Sequence, residues 1–346
     1  MAVRAVHRSF SLEEVAAAGS GFGVTGDWGR GIEKRPVPPP AAGWSSHGKG
    51  KANRPGARPD HARVHFMIHP TAIVDPEARL DPTVTVGPYA VIGRDVELGP
   101  HCIVGPHVVL WGRLRAGAHN RFHAGCVIGD APQDLKYKDA PTGLVIGDHN
   151  VFREHVTVHR SNRPEEDTRI GSHNFLMAHC HVAHNCVLGD HVIVANGALL
   201  GGHVIVEDRA FISGNCLVHQ FVRVGTLALM QGGSAISLDL PPFTVAWGDN
   251  ALCGLNVVGL RRAGISAGER LELRRLYRLL FRQGLPLREA VQQARQRFSS
   301  PAAQILLQFV ENSRRGLCRH LSRQRPGGAE AEAEAEPPED SAGSRG

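Results

Sequence analysis

An apolar residue returns at every sixth position between Ile68 and Ile236, and this period limits the fold more than any other feature of the chain. The series runs Val74, Leu80, Val86, Ile92, Leu98, Val104, Leu110, Ala116, Phe122 and Ile128, and resumes at Ile146, Phe152 and Val158. It runs again from Ile170 through Leu176, Val182, Leu188, Val194, Leu200, Val206, Ile212, Val218, Val224 and Met230 to Ile236. Glycine often follows it, as at Gly87, Gly105, Gly189 and Gly201. Four residues after it stands something small or β-branched, such as Ala72, Val84, Cys102, Val156 or Ala198. Neither the helical period nor the plain strand period produces this pattern. One bulky aliphatic, one turn residue and one small inward residue per hexad is the signature of a parallel β-helix, in which three hexads close a triangular coil. Each fully buried aliphatic contributes roughly 1.5–3 kcal/mol, so the stack coheres with few aromatics. Aromatics make up only 5% of the chain.

The 346 residues hold one such domain with appendages. No charged-then-apolar leader opens the chain, and no apolar run approaches a membrane span. Seven cysteines is an odd number, which argues against a complete disulfide framework. Cys102, Cys126, Cys180, Cys186 and Cys216 fall at the small inward position, so reduced core packing in a cytosolic setting is expected.

Residues 1–66 lack hexads and are rich in Gly, Pro and Arg, so they are expected to be a disordered segment or an extension ahead of a true start at Met67. A transit peptide is the functional alternative, weakened by Glu13, Glu14, Asp27 and Glu33. The β-helix is expected over 67–260, with excursion loops at 130–144 and 160–169 that must leave the prism because they break the period. An irregular crossing follows Ile236, then a helical C-terminal domain over 261–324. Its three expected helices open with a Ser266/Glu269 capping box, near Pro286, and at Ser300-Pro301. The last of these is expected to run to Gly316, and 325–346, with its Ala-Glu repeat, reads as a disordered tail.

Twenty histidines invite three readings of His179, His181, His184, His203 and His219. One coil is 18 residues, so His184 stacks under 202 and 220, and His203 and His219 lie one residue from those positions. The histidines are therefore expected to form a column, and its blandest meaning is a half-exposed surface ladder. Zinc is a second reading, since histidine is the commonest ligand, but no paired cysteines or acidic ligand set accompany the column. Acid–base catalysis is the third: imidazole can take a proton from a hydroxyl nucleophile, and a backbone N–H at Gly201-Gly202 can hold a developing oxyanion.

Several motifs then fall in one order: Gln133-Asp134-Leu135-Lys136-Tyr137, the run Arg153 to Arg160, His181-Val182-Ala183-His184, Gly201-Gly202-His203, Val218-His219-Gln220-Phe221 and Gly259-Leu260-Arg261-Arg262. With these, residues 67 to about 320 resemble the acyl carrier protein–UDP-N-acetylglucosamine O-acyltransferases, which open lipid A biosynthesis. The resemblance implies a left-handed parallel β-helix followed by a small all-α C-terminal domain, assembled as a homotrimer with clefts between neighbouring prisms. It implies transfer of a 3-hydroxyacyl chain from acyl carrier protein to the sugar 3-hydroxyl, with no cofactor, no metal, no nucleic-acid partner and a cytoplasmic location. His184 is then the general base, the Gly202 N–H the oxyanion donor and His203 a sugar-positioning group. Gln133, Asp134, Lys136 and His181 face substrate, and His219, Gln220, Asn256 and Arg262 bind the nucleotide sugar. Glycine in the Gly232 region goes with long acyl chains.

Three positions depart from the pattern of many members. Asn185 stands where they have Asp, so any carboxylate orienting His184 must come from elsewhere, and Val258 and Ala263 replace Glu and Arg in the nucleotide region. Arginines from Arg261 to Arg282 outnumber nearby acids, which suits an acidic carrier protein, although a solvated helix face is the usual meaning of such a run. The rival functions are a related acyltransferase acting on a 3-amino or other nucleotide sugar, a zinc-dependent trimeric hydratase, and a non-catalytic scaffold.

Overall fold

The computed structural model describes residues 67–320; the expected N-terminal extension and C-terminal tail lie outside the described residues. Most hexads form a two-residue strand, as at Val91–Ile92 and Val109–Leu110, followed by a turn. Successive strands fall on different faces, so each pairs in parallel with the third one on: Val91 with Val109, and Val109 with Val127. Three sheets of nine, eight and eleven strands result, one on each face of the prism. The bulky hexad residues point inward; Ile92, Leu110, Ile128, Val158, Val182, Leu200 and Val218 are all buried. So are the five inward cysteines, which form no disulfides. Burial pushes the Cys126 thiol up to about 11 and that of Cys180 to about 12, which leaves them protonated and inert.

The excursions are narrower than the period suggests. Strands Val127–Asp130, Gly143–Ile146 and Asp167–Ile170 lengthen to four residues, leaving 131–142 and 160–166 outside the coil. Gly143–Ile146 is held from both sides, by Arg113–Ala116 and by Asp167–Ile170. The flanks of each loop are therefore rigid.

The expected column through His184, His203 and His219 does not form. The longest ladder of stacked rings belongs instead to His101, His119, His149, His173 and His191, with centroids 4.6–4.9 Å apart, and His179 stacks on His155 at 5.1 Å on another corner. Each of these residues turns a corner in the left-handed conformation, at φ 57–61°. Histidine is among the few side chains that tolerate that geometry. His184 is not one of the positive-φ residues, and its successor Asn185 takes that role at φ 59°.

Beyond Ile236 the crossing is ordered. Thr244–Trp247 adds in parallel to Leu229–Met230, and Ala251–Leu255 returns antiparallel to it. The turn uses Gly248 and Asn250 at positive φ. Among the described residues four helices follow rather than three: α1 (Val257–Arg262), α2 (Ala267–Phe281), α3 (Leu287–Arg297) and α4 (Pro301–Glu311). The capping box of α2 is complete, and Ser300 accepts from Ala303 N–H at the start of α4. Asn312 closes α4, short of Gly316. Leu273, Leu276, Ala294, Leu306 and Val310 share a core with Phe243 and Leu260, which seats the helices on the end of the prism. Arg319–His320 then returns to pair with Ala251–Leu252.

Candidate active site

His184 lies at the corner between strands His181–Val182 and Val187–Leu188, which belong to the nine- and eight-stranded sheets. It is half-buried. Its Nδ1 lies 2.8 Å from Asn185 Oδ1. The Asn185 amide orientation follows from its other contacts. Its Nδ2 sits 2.7 Å from Ser161 Oγ and 3.0 Å from Glu166 Oε2, and a carboxylate can only accept. Oδ1 must then face the imidazole, so Nδ1–H donates and the lone pair sits on Nε2. Asn185 thus stands between His184 and Glu166: the orienting carboxylate expected from elsewhere is one amide away, and the second excursion delivers it. Asn162 N–H donates to Asn185 Oδ1 at 3.1 Å and Asn185 N–H donates to Thr168 Oγ1 at 2.8 Å, which fixes the amide further.

Gly202 is buried against the other face of the ring. A Cβ there would meet His184 Cε1 at 2.7 Å and Nε2 at 2.8 Å, so only glycine fits. Its N–H has no hydrogen-bond partner among the described residues. His203 meets His184 edge-on, with centroids 5.3 Å apart, and stacks on Phe221. Burial, then the nearby His184, lowers the His203 pKa.

His181 accepts or donates at Thr157 Oγ1, 2.7 Å away, and burial holds its pKa down at about 4. His159 lies in the run Arg153 to Arg160, where the sequence alone points to no role for it. It packs edge-on against His181 at 4.7 Å, is buried, and leaves Nδ1 without a partner. Burial lowers its pKa as well. A neutral imidazole pair therefore backs the base and adds no competing charge.

The first excursion brings Asp134 to this corner. It accepts from Lys136 N–H at 2.9 Å and Asn162 Nδ2 at 2.8 Å, which holds its carboxyl below the usual range. Gln133 and Lys136 stay exposed beside it. Arg160 ties the loop down through Tyr137 Oη at 3.1 Å and the Gly129 carbonyl at 3.0 Å.

Other expected residues are more scattered. His219 lines the same face as His181, in a groove of about 650 Å³ that also includes Leu199, Leu217 and Ala235. Gln220 is exposed next to it. On the other side of the corner a groove of about 890 Å³ holds Asn185, His203, Phe221 and Arg223. Asn256 is buried, with its Oδ1 capping α1 through Gly259 N–H and its Nδ2 donating to the Leu227 carbonyl, both at 2.9 Å. Within one chain those atoms are already engaged. Arg262 is exposed and has no ion-pair partner among the described residues. Gly232 turns between Leu229–Met230 of the eleven-stranded sheet and Ala235–Ile236 of the nine-stranded one, so it sits where the strands of the nine-stranded face begin, whereas His184 sits where they end. Among the described residues no three His, Cys, Asp or Glu side chains gather as a metal set.

Comparison with known proteins narrows the chemistry. Residues 239–318 match the second domain of UDP-N-acetylglucosamine O-acyltransferases, and residues 67–110 and 167–202 match the bacterial transferase hexapeptide family. The acyl-[acyl-carrier-protein]–UDP-N-acetylglucosamine O-acyltransferase of Halorhodospira halophila is 49% identical over 73% of this chain and 99% of its own. That of Gloeothece citriformis is 46% identical over 74% of this chain and 93% of its own. Among solved structures, the enzyme from Acinetobacter baumannii is 39% identical with a TM-score of 0.72, over 73% of this chain and 100% of that one. The Arabidopsis UDP-N-acetylglucosamine acyltransferase is 36% identical with a TM-score of 0.66, again over 73% and 100%. The chain belongs to the acyl-[acyl-carrier-protein]–UDP-N-acetylglucosamine O-acyltransferase family.

Proposed function

We propose that the chain transfers a 3-hydroxyacyl group from acyl carrier protein to the 3-hydroxyl of UDP-N-acetylglucosamine, the opening step of lipid A biosynthesis, in the cytoplasm. The observation that carries this reading is the His184 imidazole, with Nδ1–H bound to Asn185 and its ring against Gly202, whose N–H and the His184 Nε2 have no partner among the described residues. Nε2 takes the proton of the sugar hydroxyl as its oxygen attacks the thioester carbon. The Gly202 N–H donates to the oxyanion, a contribution of about 3–4 kcal/mol in comparable sites. Collapse expels the pantetheine thiolate, and the imidazolium returns the proton to it. The hydrogen-bond chain through Asn185 to the Glu166 carboxylate stabilises that imidazolium.

The two grooves flanking His184 are open, and their rims carry exposed Leu199, Leu217, Val187 and Ile205. Such apolar prism faces support the homotrimer implied by the resemblance, with a neighbour supplying the missing wall. Holding donor and acceptor in that cleft supplies the proximity term. Gln133, Lys136 and Gln220 have exposed side chains there, and Arg262 suits a diphosphate. An acyl chain laid across the nine-stranded face from His184 ends at Gly232.

Thirteen arginines against four glutamates between 257 and 320 give the helical end a strong positive charge that suits an acidic carrier protein. The test is an assay with UDP-N-acetylglucosamine and 3-hydroxyacyl carrier proteins of several lengths, with product mass spectrometry and a salt series. Formation of the 3-O-acyl sugar, with kcat/KM falling as salt rises, supports the proposal. No product with this acceptor, while a 3-amino analogue is acylated, would overturn it.

A further inference from the structure

The segment after α4 reaches back across the last coil. Ser313 Oγ donates to Asp239 Oδ2 at 2.8 Å, Asp239 N–H donates to the Gly316 carbonyl at 2.9 Å, and Cys318 N–H donates to the Asp239 carbonyl at 2.9 Å. Asp239 is 1% exposed, so this clamp is anchored in the protein interior. In its middle, Arg315 donates Nε–H to the Ser237 carbonyl at 2.6 Å and Nη2–H to His219 Nδ1 at 2.8 Å. Ser237 and His219 line one groove beside the His184 corner and Arg315 lines the other, so the guanidinium sits at the seam between them.

A guanidinium has only N–H groups and does not lose its proton. The His219 Nδ1 that it touches must therefore present a lone pair, and the ring proton sits on Nε2. The Gln220 carbonyl lies 3.2 Å from the same Nδ1. An acceptor cannot bond a lone pair, so the shorter contact with the obligate donor decides the tautomer.

We propose that Arg315 is a positioning residue for the sugar-nucleotide acceptor. It holds His219 as the neutral Nε2–H tautomer, the form that donates to a hydroxyl or phosphoryl oxygen, and ties that donor to the C-terminal segment. The inference rests on the reading of His219 as an acceptor-binding side chain. Arg315 and His219 are 96 residues apart, so no repeat arithmetic pairs them.

Calorimetric titration of UDP-N-acetylglucosamine into the full-length protein, without acyl donor, tests this free of the chemical step. His219→Ala and Arg315→Ala should each weaken binding about tenfold, and the double variant should be no weaker than His219→Ala alone, because the two act as one unit. Arg315→Lys keeps an N–H donor and should stay within about threefold of wild type. Arg121→Ala, exposed on the eleven-stranded face away from both grooves, should match wild type. If alanine lowers the melting temperature, Arg315→Met keeps the stem without the donor and carries the same cycle. Additive losses in the double variant overturn the inference, as does unchanged affinity in Arg315→Ala where His219→Ala binds weakly. Unchanged affinity in His219→Ala also overturns it, and places the failure in the assignment of His219.

Discussion

All three corners of the prism carry histidines, and two of them put the same side chain to different uses. At one, His101, His119, His149, His173 and His191 turn the chain at positive φ, point outward and stack on one another. At the other, His184 precedes the positive-φ residue, so its ring is half-buried and meets Asn185, Gly202 and His203. The first corner is pure repeat. The second is where two excursions leave the coil and return Asp134, Ser161 and Glu166 to one place. A histidine becomes chemically useful here by gaining partners that the repeat itself does not supply.

The largest way to sharpen this contrast is Gly202→Ala. Its methyl cannot coexist with the His184 ring, so the base must move, and a displacement of about 1 Å costs on the order of 10²-fold in turnover. The melting temperature should hardly change. Steady-state kinetics check this, and a rate within threefold of wild type would mean that the ring position is not critical.

Next comes Asn185→Asp. The new carboxylate would lie against Glu166, with two amide donors lost, so like charges meet and turnover should fall roughly tenfold. Glu166→Gln added to it restores a donor and should recover most of the loss. A double variant no better than the single would break the hydrogen-bond chain from His184 to Glu166.

The third comparison uses acid. The folded pKa of His181 is about 4, below the ordinary 6.5, because burial disfavours the charged ring. The unfolded chain therefore binds a proton first as pH falls. The stability this residue contributes is fully present above about 6.5 and is lost progressively down to about 4; His159, shifted the same way, adds to the trend. Urea midpoints across that window should fall less steeply in His181→Gln, and an unchanged slope would contradict the buried neutral pair. The smallest effect on turnover belongs to the ladder: His149→Ala should change kcat less than twofold, while the positive φ at 149 makes the alanine cost about 1 kcal/mol of stability.

The coil was legible because its signal is local and repeated: Ile92, Leu110 and Ile128 each declare their inward direction in six residues. The capping box at Ser266 and the Ser300-Pro301 start were legible for the same reason. The hairpin Thr244–Leu255 and α1 carry one weak cue each, the Gly248 to Asn250 turn and the Asn256 cap, and they read as irregular. Arithmetic of 18 does place Gly202 over His184, as the ring contact shows. It fails for His203 and His219, which sit one position away and turn toward Phe221 and Arg315. The Asn185–Glu166 hydrogen bond and Arg315 were hidden because their partners meet only through an excursion or the returning C-terminus. Long-range contacts of that kind leave no period in the sequence.

The account stands on one imidazole. Acyl transfer to UDP-N-acetylglucosamine, measured side by side for wild type, His184→Ala and His149→Ala, tests it most directly. The account predicts a loss of about 10²–10⁴-fold in kcat/KM for His184→Ala, with its melting temperature kept and His149→Ala unchanged. Turnover by His184→Ala within twofold of wild type would contradict it.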